Sequence, residues 1–121
     1  MERKKLGSYG ENIARAYLLK HNYSILGQNF HSRFGEIDII AQNQQDYVFI
    51  EVKTRINTSF GEPEESINRR KLIKIYKTVY HYLEQKDLKT KNIHWRIDLI
   101  AIKLARNLEV ETLNHYQNIF I

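Results

Sequence analysis

The sequence predicts a mixed α/β domain, a central mixed sheet flanked by helices in the order αβββαββ. Three observations lead to this class. Two segments repeat apolar residues at helical spacing. Gly35 to Ala41 and Tyr47 to Thr54 alternate with the period of a strand. No repeat, low-complexity tract or linker divides the chain, so residues 1–121 are expected to form one domain.

The first helix is expected over residues 8 to 21. Ser8-Tyr9-Gly10-Glu11 has the spacing of a capping box, and Ile13, Ala14, Tyr17 and Leu18 follow at helical intervals. Residues 23 to 30 read as a short strand, and Asn29 to Arg33 as a turn. The alternating strands Gly35 to Ala41 and Tyr47 to Thr54 come next, joined by the polar stretch Gln42 to Asp46, which is short enough for a hairpin. A loop is expected from Arg55 to Glu62. The only proline, Pro63, suits the first turn of a second helix running to about Leu83. Leu72, Ile75, Tyr76, Val79 and Leu83 form its apolar stripe, with Arg70, Lys74, Lys77 and His81 opposite. After a lysine-rich loop over 85 to 92, Ile93 to Lys103 and Leu108 to Leu113 read as the last two strands.

Composition narrows the function. The chain has 121 residues, 42% hydrophobic and 27% charged, the balance of an ordinary globular protein. It has no cysteine, which excludes disulfides, thiolate zinc sites and cysteine nucleophiles. The charged start Met1 to Leu6 is not followed by an apolar stretch, so no signal peptide is expected. No segment approaches the roughly 18 consecutive apolar residues of a membrane span. The cytoplasm is the expected compartment, without membrane association. The net charge of +5 makes polyanions, nucleic acid above all, the expected partners.

The chemistry concentrates in the two alternating strands. Residues two apart share a face. Glu51 and Lys53 therefore share one face with Phe49, while Val48, Ile50 and Val52 share the other. Ile37, Ile39 and Ala41 lie opposite Glu36, Asp38 and Ile40 in the same way. If Asn43 to Asp46 closes the hairpin, Gln42 pairs with Tyr47. Asp38 then falls opposite Glu51, and Glu36 opposite Lys53. Like charges so placed repel. A divalent cation would offset this, and Mg²⁺ takes one or two carboxylates with water and phosphate oxygens. Such an ion polarises a phosphate and activates water, and Lys53 can orient that water or stabilise developing charge. The competing reading is a solvated charged face, or an ion cluster of Asp38, Glu36 and Lys53. A register slip of one residue would separate the carboxylates.

The segments Gly7-x-x-Gly10-Glu11, Asn29-Phe30, Gly35-Glu36-Ile37-Asp38, Phe49-Ile50-Glu51-Val52-Lys53-Thr54-Arg55 and Phe60-Gly61-x-Pro63 resemble the YraN-like family of small bacterial proteins. The likeness continues through Lys71 and Arg96-Ile97-Asp98. That family is assigned to the restriction-endonuclease-like superfamily with its PD-(D/E)xK metal motif, and is similar in outline to archaeal Holliday-junction resolvases. The resemblance implies a restriction-endonuclease-like fold and catalytic residues Asp38, Glu51 and Lys53. Asp38 and Glu51 would hold Mg²⁺ or Mn²⁺. Ile37 precedes Asp38 where the motif has proline, a departure the superfamily tolerates.

Glu11 matches the position at which resolvases carry a further acidic metal ligand, but as the third residue after Ser8 it is equally placed to close the capping box. Glu36 reads as a partner for Lys53, with an extra metal ligand as the alternative. Lys71, Arg55, Arg70 and Lys74 are candidates for nucleic-acid contact. For Lys71 the alternative is a plain solvated lysine, for Arg55 a bridge to Glu62 or Glu64, and for Arg70 and Lys74 a solvated helix face. Asp98 reads as structural, paired with Arg96 or Arg55. The histidines have no metal-ligand spacing, and the tyrosines read mostly as core. The expected activity is metal-dependent hydrolysis of DNA phosphodiester bonds, at branched or damaged sites. The rival is a catalytically silent module that binds nucleic acid or a DNA-repair partner. By analogy with junction resolvases, a homodimer is expected.

Overall fold

A computed structural model of the chain describes residues 1–44, 46–57, 61–88 and 92–119. Gln45 of the expected hairpin loop, residues 58–60 with Phe60 of the family motif, and residues 89–91 of the lysine-rich loop lie outside the described residues.

The elements follow in the expected order: α1 (Arg3–Lys20), β1 (Ser24–Ser32), β2 (Gly35–Asn43), β3 (Asp46–Ile56), α2 (Arg69–Gln85), β4 (His94–Leu104) and β5 (Val110–Tyr116). The strands form one sheet in the order β1-β2-β3-β4-β5. β3 and β4 are parallel, and the other neighbours antiparallel. A parallel pair needs a crossover, and α2 supplies it. No described helix is long and apolar enough to cross a membrane.

The sheet separates two apolar clusters. Ala14 and Leu18 of α1 pack with Ile39, Val48, Ile50, Ile100 and Ile102. Leu72, Ile75, Val79 and Leu83 of α2 pack with Ile40, Phe49 and Ile97. The inner strands are thus covered on both faces along their middle, and a charged residue there lies inside the protein. A solvated strand face is excluded for Asp38 and Glu51, which are only 6% and 7% exposed.

Several local expectations are corrected. α1 starts at Arg3, with Glu2 at its N-cap and no capping side chain. Ser8 therefore lies inside the helix, and the capping box does not form. β1 continues through the expected turn to Ser32, with Asn29 at φ +51°. That residue breaks the alternation, and its neighbour Phe30 pairs with Ile37. Ile37 accordingly packs with the α2 cluster and not with Ile39 and Ala41. Pro63 opens a separate 3-10 turn, Pro63–Ser66. α2 begins only after Asn68, whose side chain accepts the Lys71 backbone N–H at 2.9 Å. His81 is half-buried against Phe30 and Phe34, not solvated with the lysines.

Asp98 is fully buried and organises the opposite part of the sheet. It accepts from Arg96 Nε at 3.0 Å and from the Asn118 N–H at 2.9 Å, and lies 2.7 Å from His115 Nε2. Arg96 also reaches Asp46 and Tyr23, while His115 Nδ1 meets the Tyr17 hydroxyl at 3.0 Å. Asp98 is structural, as expected, with Arg96 as its partner rather than Arg55.

Gly10 sets how close α1 comes to β3. A Cβ added there would lie 1.8 Å from Thr54 Oγ1 and 2.8 Å from Thr54 Cβ. Gly10→Ala should lower the melting temperature, because overpacking of about 1–3 kcal/mol outweighs the roughly 1 kcal/mol that alanine gains in helix propensity. Adding Thr54→Ala should recover part of the loss in a double-mutant cycle read by thermal unfolding. Strict additivity would refute the contact.

Candidate functional site

The site forms where β2 and β3 part. Their pairing runs from Asn43↔Asp46 to Ile39↔Ile50, the register expected from the sequence and one pair longer at the turn. The next pair in that register would be Asp38 with Glu51, but the ladder ends before it. The Val52 N–H donates instead to Asp38 Oδ2 at 2.8 Å. One carboxylate oxygen thus replaces a strand-to-strand bond and pins the fork open. Glu36 does not reach Lys53 as expected. It is exposed and pairs across the β1–β2 hairpin with His31 at 3.2 Å.

Asp38 and Glu51 share this buried fork. Burial, then the charge of Glu51, push the Asp38 carboxyl up to about 8, although the Val52 N–H works the other way. Two ammonium groups face Glu51 from the other side, Lys53 Nζ at 3.6 Å and Lys71 Nζ at 3.5 Å from Oε1. Burial and a hydrogen bond from Lys71 lower the Lys53 pKa. Burial opposes the Lys71 charge as well, yet Glu51 and Lys53 hold its pKa above the usual value.

Each helix delivers one residue to the fork. The Asn68 cap fixes the first turn of α2 and so the position of Lys71. Lys71 is therefore a member of the carboxylate cluster, not an isolated surface lysine. On the other side, the close passage of Gly10 over Thr54 brings Glu11 to β1 and β2. Burial, then the charges of Asp38 and Glu36, raise its carboxyl to about 7, opposed by a hydrogen bond from Asn29. With no capping box, Glu11 has no role at the helix start.

The other basic residues divide. Arg55 does not bridge to Glu62 or Glu64. Glu62 pairs with Lys103 at 3.9 Å and Glu64 accepts from the Tyr116 hydroxyl. Arg70 and Lys74 are exposed along α2, outside the fork. Among the described residues, no three carboxylate or imidazole groups converge into a preformed metal cage. The fork offers two carboxylates, with Glu11 beside them.

Two contributors were missed in the sequence. Asn68 carried a readable signal, an asparagine just before an apolar-periodic segment. Asn29 was noticed only as the start of a turn and as part of the family resemblance, because a left-handed residue inside a strand has no spacing signature.

The family description Uncharacterised protein family UPF0102 matches residues 10–102, a span that contains Glu11, Asp38, Glu51, Lys53 and Lys71. The chain belongs to the UPF0102 family. It is 41% identical over 117 residues to a UPF0102 protein of Clostridium acetobutylicum, covering 97% of this chain and 94% of that one. A UPF0102 protein of Caldicellulosiruptor bescii is 38% identical over 120 residues, 99% of this chain and all of its own (100%). One from Persephonella marina is 47% identical over 96 residues, covering 79% of this chain and 81% of that one. The likeness to the UPF0102 proteins therefore runs through the whole fork and not only through its motif strand.

The fork makes stability depend on pH. Asp38 and Glu11 have folded-state pKa values above the ordinary carboxyl range, so the folded UPF0102 chain binds more protons than the unfolded one. The stability this supplies is complete below about pH 4 and is lost as pH rises through about 7 to 8. In metal-free buffer, the melting temperature of wild type should fall more between about pH 5 and about pH 8.5 than that of Asp38→Asn. Parallel profiles would contradict the assignment.

Proposed function

We propose that the fork is the active site of a metal-dependent phosphodiesterase acting on DNA. The observation that carries this reading is the buried pair Asp38 and Glu51, facing each other at an interrupted strand ladder with two ammonium groups within reach of Glu51. Burying two carboxylates side by side is costly unless a positive charge or a proton offsets them. The raised pKa of Asp38 expresses that cost.

The donor set fits Mg²⁺ or Mn²⁺. Both are oxygen-seeking, and Mg²⁺ takes one or two carboxylates while keeping water and phosphate oxygens. Asp38 and Glu51 would hold the ion, with Glu11 completing the set. When bound, it supplies Lewis-acid polarisation of the scissile phosphate and a water of lowered pKa. Lys53 holds charge next to Glu51 and can orient that water or stabilise the negative charge that develops on the phosphate. Lys71 contributes a second positive charge, delivered from a helix terminus and so held without a flexible loop. Asp38 keeps one oxygen on the Val52 N–H, which fixes the direction of the other. The Asp38, Glu51-x-Lys53 pattern on paired strands of a mixed sheet supports the same reading.

The second reading is a nuclease-fold module that binds nucleic acid or a repair partner without cleaving. One observation favours it: Lys53 and Lys71 already neutralise Glu51 without a metal ion.

End-labelled linear, flapped and four-way DNA incubated with Mg²⁺ or Mn²⁺ distinguishes them. Wild type should cut, and Asp38→Ala and Glu51→Ala should lose activity by about 10²-fold or more, a scale typical for removing a group that acts on transition-state charge. Both variants should retain a cooperative thermal transition. Cutting that survives Asp38→Ala would refute the active-site assignment. Salt-sensitive binding without cutting would establish the module instead.

A further inference from the structure

A cleft of about 640 Å³ opens beside the fork, between the first turns of α1 and the end of β3. Lys53 lines it and also contacts Glu51, so the cleft and the carboxylate pair share a wall. Arg3 and Arg55 line it as well, and no acidic residue does among the described residues. Neither arginine has an ion-pair partner among the described residues. Its apolar wall consists mainly of Leu6, Val52 and Ile56.

We infer that this cleft is a nucleotide pocket, which takes one unpaired nucleotide of the strand to be cut. The inference rests on the nuclease reading for its geometry, because it places the nucleotide next to the scissile phosphate. Two arginines without an ion-pair partner among the described residues, beside Lys53, favour a phosphodiester, and arginine forks suit phosphate oxygens. The apolar wall suits a sugar and the face of a base. The volume lies in the range of roughly 300–1,000 Å³ in which pockets enclose small ligands. A duplex would offer such a cleft only its phosphates, since its bases are stacked and paired. Base and sugar can enter only from an unpaired strand, a flap or a frayed end. The pocket therefore names a substrate class: DNA that is unpaired next to the cut.

Gly7 provides a test that leaves the charge unchanged. It lines the cleft, and a Cβ added there meets nothing within 4 Å. Gly7→Phe should fill the cleft without disturbing the packing of α1. Binding is measured by fluorescence anisotropy in EDTA with an oligothymidylate, a blunt duplex, and the same duplex with a thymidine tail. Wild type should prefer the tailed and single-stranded probes over the blunt duplex by about tenfold or more, in keeping with the apolar burial of one base and the phosphate contacts of its nucleotide. Gly7→Phe and the double variant Arg3→Ala/Arg55→Ala should each abolish the preference, with circular dichroism showing both folded. Equal binding of all probes by wild type, or a preference that survives Gly7→Phe, overturns the pocket. Because no turnover is involved, failure of cleavage and failure of the pocket are separate results: the preference can stand without cutting, and cutting without the preference removes the pocket alone.

Discussion

The bond from the Val52 N–H to the Asp38 carboxylate governs the geometry of this protein. A backbone amide inside a sheet needs an acceptor. At this point the ladder between β2 and β3 has ended, and a side chain takes the place of the missing carbonyl. The exchange has two effects. It lets the strands separate without leaving a buried donor unpaired, and it holds a carboxylate at the bottom of the gap. Everything around the fork is arranged toward that gap. α1 crosses β3 at a glycine, so that Glu11 comes near. α2 starts at an asparagine cap, so that Lys71 reaches Glu51.

The fork also contains an electrostatic imbalance. Two lysines converge on Glu51, and among the described residues no cation pairs with Asp38. The charges are therefore divided unequally across a short distance, with Asp38 on the side that favours a proton. The proposed uptake of a cation and then a phosphate would draw on such an asymmetry, because a fully neutralised cluster would have little affinity for either. The Asp98 cluster is the contrast. There the carboxylate receives Arg96, the Asn118 amide and His115 together, and its oxygens are satisfied. Both sites are buried acids on the same sheet, but only one has its hydrogen-bonding capacity filled from within.

The central sheet and the main site residues were legible in the sequence because they depend on short-range regularities. Alternation in Gly35 to Ala41 and Tyr47 to Thr54 fixes the faces, and a short polar turn fixes the register, so Asp38 and Glu51 could be set opposite each other. The ends of α1 and α2 were not legible for different reasons. α1 begins without a capping side chain, which leaves no mark in the sequence. Pro63 looked like a helix start, yet it opens a turn that stops at an extended Ile67. Glu36 was paired with Lys53 by extending the register past the point where the ladder ends. The meeting of Asp98 and His115 was not legible either, since it depends on the pairing of β4 with β5, which shifts at Lys103 and Leu104.

The ties between α1 and β5 have a kinetic consequence. The Tyr17 hydroxyl meets His115, and the Tyr9 hydroxyl bonds the Leu108 carbonyl, across 98 and 99 residues of sequence. Closing loops of that length is entropically unfavourable until the intervening chain has organised, and topologies rich in such contacts fold slowly. α1 packs mainly on β1, β2 and β3, which are near it in sequence, so these elements can organise together and the ties to the β4–β5 end close last. Glu11 travels with α1. Glu11, Asp38 and Glu51 thus come together within the N-terminal half of the chain, while Lys71 joins them only when α2 has packed on the sheet.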